Sequence, residues 1–241
     1  MKNIREAIEL EKQYIQFRLE GKEPFSFANE IKRLGFANLN EYYNAKLDYQ
    51  ISELEFSIEE TSPLEAAALI MSYMRQKKNG ILLMDTHEVI AYCGSKDFNR
   101  EYCIENNIPI IDYYSNGGTM IASENEFNIG LVMPHLEGLT STYILQKIKN
   151  ILDEYYDEGE VVVDNNDILI NGKKVCGATV YPTSEVFGFT AQFSFDDKSE
   201  LISKICYPSE SGSNKEPGFI DKLTRKELRE KILLWLTGKE A

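Results

Sequence analysis

Residues 109–120 read Pro-Ile-Ile-Asp-Tyr-Tyr-Ser-Asn-Gly-Gly-Thr-Met, and a second run, Asn171-Gly172-Lys173-Lys174-Val175-Cys176-Gly177, follows some fifty residues later. In each, an apolar stretch of strand-like composition leads into small residues that let a backbone turn sharply or come close to a ligand. The second run adds a lysine beside the turn. Together they outline a binding site made of a backbone cradle and a cation.

Outward from these runs, residues 62–241 alternate short β-rich segments with amphipathic helices. Ser62-Pro63-Leu64-Glu65 predicts a helix to about Lys78, with Ser62 as N-cap, Pro63 at the first helical position and Glu65 placed for a capping box. Strands are expected over Ile81–Met84, Val89–Tyr92, Ile108–Tyr113, Phe127–Met133, Asp167–Ile170 and Phe187–Phe195, and helices over Asp97–Asn107, Thr140–Tyr155, Lys198–Ile205 and Thr224–Leu236. The Asn171-Gly172 pair between two apolar runs is a hairpin signal. The pattern is α+β with a mostly antiparallel sheet flanked by helices.

Upstream, residues 1–57 read as a helical extension, apart from a core domain at 58–241. Ile4, Ala7, Ile8, Tyr14 and Ile15 recur at helical spacing, Gly21 with Pro24 ends that helix, Ser26 starts a second, and Gly35 precedes a third over Leu39–Leu54.

Composition limits the function. The 241 residues are 43% hydrophobic and 11% aromatic, which describes a globular chain. A net charge of −13 gives no basic face for a phosphate backbone, so nucleic acid is not an expected partner. No apolar run approaches the roughly 20 residues of a membrane span, and the opening Met1-Lys2-Asn3-Ile4-Arg5 has no signal-peptide core, so a cytoplasmic protein is expected. Four separated cysteines and two histidines make neither a disulfide framework nor a metal site.

In this order of elements, residues 62–241 resemble the catalytic core shared by lipoate-protein ligases, octanoyltransferases and biotin-protein ligases. That family carries an apolar strand ending in paired arginines, a serine or threonine, a glycine run, a hydrophobic pair, a His-Asp and an Asn-containing strand. Residues 109–123 followed by Phe127-Asn128 fit this order without a gap. The family's second motif is Asn-Asp before a hairpin, then Gly, a basic residue, the functional lysine, an aliphatic residue, a small residue and Gly. It is matched by Asn166-Asp167 and Gly172-Lys173-Lys174-Val175-Cys176-Gly177. Lys215-Glu216-Pro217-Gly218-Phe219-Ile220 resembles the loop before the family's last helix.

The resemblance implies a fold like that of class II aminoacyl-tRNA synthetases, and a pocket for a lipoyl, octanoyl or similar acyl group. Ser115, Asn116, Gly117, Gly118, Thr119, Asn128, Lys174 and Gly177 would line it. Gly117 and Gly118 would let an acyl chain lie against free amides, and Lys174 would neutralise a carboxylate. Cys206 falls where one octanoyltransferase subgroup keeps its nucleophile, so Lys174 and Cys206 are the catalytic candidates. A lipoyl-type carrier domain is an implied partner.

The departures bear on chemistry. Asp112 and Tyr113 stand at the paired arginines, and Ala122 and Ser123 at the His-Asp. An aspartate facing a phosphate repels it, which counts against ATP or AMP as cofactor and against ATP-dependent ligation. Three readings follow: transfer of a pre-activated acyl group, a non-catalytic protein that binds a small acid or an acylated partner, and an enzyme that uses Asp112, Tyr113 and Tyr114 on another substrate.

Overall fold

A computed structural model describes residues 3–22, 25–85, 89–93, 98–112, 120–206 and 215–238. The chain divides into two compact units, one of Met1–Leu54 with Leu136–Leu139, the other of Glu55–His135 with Thr140–Ala241.

The first unit holds three helices, α1 (Ile4–Leu19), α2 (Phe27–Arg33) and α3 (Leu39–Ser52). Asn3 and Asn38 cap α1 and α3 through their side chains. Ser26 stands at the N-cap of α2, yet its side chain makes no capping bond. The helices bury Ala7, Phe27, Ile31, Phe36 and Tyr42 against one another, and the Tyr42 ring meets Phe27 and Phe36 edge-on. Within this core the Tyr42 hydroxyl donates to Glu11 at 2.8 Å, and Lys46 reaches the same carboxylate oxygen at 2.6 Å.

The second unit opens with β1 (Ser57–Thr61), α4 (Pro63–Gln76) and β2 (Gly80–Met84). Ser62 caps α4 by accepting from the Glu65 amide at 3.3 Å, and the Glu65 carboxylate accepts from the Ser62 hydroxyl. Next come β3 (Ile90–Cys93), α5 (Arg100–Glu105), β4 (Ile110–Asp112), β5 (Met120–Ala122), β6 (Glu126–Pro134) and α6 (Ser141–Leu152). The chain then forms β7 (Val161–Asp164), β8 (Asp167–Ile170), β9 (Lys173–Pro182), β10 (Val186–Ser194), α7 (Ser199–Ile205) and α8 (Arg225–Thr237).

Seven strands make one sheet in the order β1-β2-β6-β10-β9-β8-β7, and three make a second in the order β4-β3-β5. Only β1–β2 and β3–β4 pair in parallel among the strand pairs described, so the sheets are mostly antiparallel as the sequence pattern implies. Strand alternation sorts the side chains of the large sheet. On one face α4 packs Ile70 and Tyr73 against Leu82, Val132 and Val186. Phe127, Ile129, Leu131, Phe189 and Phe193 alternate with that face and are buried, and α6 and α8 pack on the sheet. Among the described residues no helix is long and apolar enough to cross a membrane.

Candidate functional site

The site grows from the β8–β9 hairpin. Asn171 at φ 52° and Gly172 at φ 80° form the two-residue turn with both central residues left-handed, which matches the twist of the flanking strands. The β8–β9 register then shifts between Ile168 and Leu169, a bulge that pairs Leu169 with Lys174 and Ile168 with Cys176. The extra residue in β9 leaves Val175 and Cys176 both buried in succession. Lys174 reaches Asp167, its Nζ lying 2.8 Å from Oδ1.

Gly177 pairs with Asp167 across the strands, and Lys174 lies over it. A Cβ on Gly177 would stand 3.0 Å from Lys174 Cε and 3.1 Å from its Nζ, so the glycine makes room for the lysine. The segment Lys215–Gly218 closes the other side. The Lys174 amide donates to Glu216 O and the Gly218 amide donates to Lys174 O, both at 2.8 Å. Pro217 falls between these two bonds, where its missing N–H is not needed. Gly218 comes so close that a Cβ there would meet Lys173 Cβ at 2.6 Å.

Lys215 enters the same cluster, with Nζ 2.8 Å from Asp167 Oδ2 and 2.7 Å from Asp164 Oδ2. Burial works against its ammonium, but the two carboxylates outweigh it and hold the Lys215 pKa above the ordinary lysine value. Asp167, itself buried, is thus clamped between two lysines, and the set of two aspartates and two lysines is formally neutral. The Lys174 side chain keeps 36% of its exposure, so the lysine is held by Asp167 and yet partly in solvent.

Along the same sheet face, Gly177 pairs with Gln192 and Gln192 with Asn128, placing Asp167, Gly177, Gln192 and Asn128 in one cross-strand row. Two positions along, Glu126 is buried with Lys198. Its carboxylate accepts from the Lys198 ammonium, from Gln192 Nε2 and from the Ser123 amide. Gln192 Nε2 also donates to Ile121 O in β5 at 2.5 Å. Burial pushes the Glu126 carboxyl up to about 7, against the downward pull of Lys198 and the hydrogen bonds.

Of the residues singled out in the sequence, the structure brings Lys174, Gly177 and Asn128 onto this face. Ser115, Asn116, Gly117, Gly118 and Thr119 lie outside the described residues, as do Tyr113 and Tyr114. Their flanks are described: Asp112 ends β4 opposite Cys93, and Met120 begins β5 opposite Tyr92. The two ends of the glycine segment therefore stand on either side of β3, about two strand spacings or ~10 Å apart.

Cys206 sits elsewhere, in an apolar cluster with Ala91, Cys103, Ile121 and Ile205. Burial and then Cys103 push its thiol up to about 11, so it is protonated at neutral pH and no described cation activates it. Cys176 is fully buried, and desolvation raises its thiol further. The sequence reading missed Gln192, Glu126 and Lys198. Gln192 was findable as an amide side chain set between Ala191 and Phe193 in a strand rich in aromatic residues.

Comparison with known proteins agrees with this architecture. No curated protein matches the chain by sequence. LipL1 of P. falciparum, solved in complex with lipoate, superposes with a TM-score of 0.59 at 12% identity, over 76% of this chain and 61% of that one. A putative lipoate protein ligase of T. acidophilum with bound lipoic acid gives 0.56 at 14% identity, over 75% and 83%. A lipoate-protein ligase A bound with ATP gives 0.56 at 12% identity, over 75% and 83%. At these identities the likeness is one of fold. The model of the lipoyl protein ligase A/B catalytic domain matches residues 63–226, a span that holds the Lys174 hairpin, the cross-strand row and the Lys215 segment. The chain therefore belongs, as a divergent member, to the lipoyl protein ligase A/B catalytic domain family.

Proposed function

We propose that this protein binds the carboxyl end of a lipoyl, octanoyl or similar short acyl group beside Lys174. The observation that carries the reading is Lys174, its ammonium held over Gly177 by Asp167 and its side chain partly exposed, within a domain of this family. A carboxylate or thioester oxygen docked there meets a cation whose position is set in advance, so little side-chain entropy is lost on binding.

Acyl adenylation is disfavoured, because Asp112 and Tyr113 occupy the positions of the phosphate-facing arginines. That leaves transfer of a pre-activated acyl group, such as a carrier-protein thioester, to a lipoyl-type domain. The raised thiol of Cys206 argues against a covalent acyl-cysteine on the way and favours a second reading, a non-catalytic module that recognises a small acid or an acylated partner.

Calorimetry with octanoate and lipoate tests the binding step. Wild type is expected to bind, and Lys174→Met to lose at least tenfold in affinity with its melting temperature little changed; equal affinities would sink the reading. Incubation with an octanoyl carrier protein and a lipoyl domain then separates the two readings. Octanoylated domain by mass spectrometry means transfer, and binding without turnover means a recognition module.

A further inference from the structure

Two side chains in the cross-strand row carry hydrogen-bonding atoms that no described residue uses. Asn128 is 5% exposed and Gln192 8% exposed, and both face the side of the sheet on which Lys174 lies over Gly177. Among the described residues, Asn128 Nδ2 and Gln192 Oε1 are each buried without a hydrogen-bond partner. Buried polar groups in folded proteins are almost always paired, because an orphan forfeits its bonds to water and gains nothing in return.

The orientation of Gln192 is fixed by its neighbours. Its Nε2 donates to Ile121 O, a backbone carbonyl that can only accept, as well as to the Glu126 carboxylate, so Oε1 is the end that stands free. The Asn128 amide has no such anchor on its Nδ2, so the free atom there is a donor, or after rotation of the amide an acceptor. Strand spacing sets Gln192 about 5 Å and Asn128 about 10 Å from the Gly177 position over which Lys174 lies.

A purely aliphatic chain laid along this row would cover both atoms and satisfy neither. We infer that the acyl group recognised here carries an amide- or ureide-type unit, one N–H donor and one carbonyl acceptor, on the order of 5–10 Å from its carboxyl end. Gln192 Oε1 accepts its N–H, Asn128 Nδ2 donates to its carbonyl oxygen, and Lys174 pairs with the carboxylate. Asn128 and Gln192 then set the specificity, by leaving an unpaired buried group whenever the chain is plain hydrocarbon.

The inference rests on acyl binding beside Lys174, and a matched pair of acids tests it. Octanoate and N-butanoyl-β-alanine have the same chain length, and the second replaces two methylenes by one amide; desthiobiotin offers a ureide. Calorimetry on the full chain is expected to show the amide and ureide acids binding wild type at least tenfold tighter than octanoate. Asn128→Leu removes a buried unpaired group, so it is expected to keep or raise the melting temperature while abolishing that preference. Octanoate binding as tightly as the amide acid to wild type, with Lys174→Met still weakening it, would overturn this specificity alone. A preference left unchanged in folded Asn128→Leu would overturn it too. Absence of binding by all three acids would overturn the docking site itself, and the specificity with it.

Discussion

At the scale of single residues, the buried pair Glu126–Lys198 is where charge and burial compete most directly. Both side chains are almost wholly out of water, and residues 72 apart in sequence supply the two partners. Burial raises the Glu126 carboxyl to about 7, so the folded state holds its proton more tightly than the unfolded chain does. The stability contributed by this group is therefore fully present below the ordinary carboxylate range and is lost as pH rises through about 7. Lys198 limits that loss, because its ammonium is what makes the ionised carboxylate tolerable. Lys198→Met is thus expected to cost little at pH 5, where Glu126 carries its proton. At pH 8.5 it should cost on the order of 1–3 kcal/mol more, since a carboxylate is then left buried and unpaired. Urea unfolding of both proteins at the two pH values measures this, and an equal cost at both would contradict the assignment.

At the scale of elements, the segment Lys215–Gly218 behaves as a latch on the start of β9. Two backbone hydrogen bonds and the Lys215–Asp167 ion pair hold it, and the approach is possible only because Gly218 has no Cβ. Gly218→Ala forces a carbon into 2.6 Å of Lys173 Cβ, so the latch must move off β9 and release Lys174. The cost should be about 1–3 kcal/mol of stability, as for other overpacked sites. A loss of acid affinity should accompany it, whereas a change of equal cost far from the hairpin, such as Thr224→Ala at the capping box of α8, should leave affinity intact. Paired chemical-denaturation and binding measurements on the two variants separate these outcomes; equal affinity in both would show that the latch does not hold the lysine.

The same scale shows what the chain reveals about itself. Helices α4, α6 and α8 were legible because Ser62, Thr140 and Thr224 announce their starts, and each does cap its helix through the side chain. The β8–β9 hairpin was legible from Asn171-Gly172 for the same kind of local reason. Strand β1 was not, because Ser57-Ile58-Glu59-Glu60-Thr61 is a polar run whose pairing with β2 supplies what composition does not. Strand β5 was hidden too, since Met120–Ala122 is three residues long and exists through its pairing with β3. The site divides likewise: Lys174 and Gly177 announce themselves next to a turn, while Gln192, Glu126 and Lys198 meet only through strand register and long-range packing.

At the scale of the whole molecule, the two compact units are not two consecutive stretches of chain. Leu136–Leu139, from the connection between β6 and α6, belongs to the unit otherwise built by Met1–Leu54. Leu139 is 3% exposed, and a Cβ on Gly138 would meet Leu47 of α3 at 3.6 Å, so the short segment is part of that unit's packing. A 54-residue helical unit is near the lower limit for a self-sufficient core, and borrowing an apolar segment adds area it could not bury alone. Removing residues 1–54 should therefore leave the strand pairing of the family domain in place, since both sheets form within residues 55–241. It should also strand Leu136 and Leu139 in water at the β6–α6 connection. The deletion is expected to fold with native-like circular dichroism but to self-associate in ultracentrifugation, and Leu136→Ser with Leu139→Ser in the same background should return it to the monomer. If the deletion instead unfolds, and the two serines do not rescue it, the helical unit is a structural requirement of the ligase-like domain and not an appendage to it.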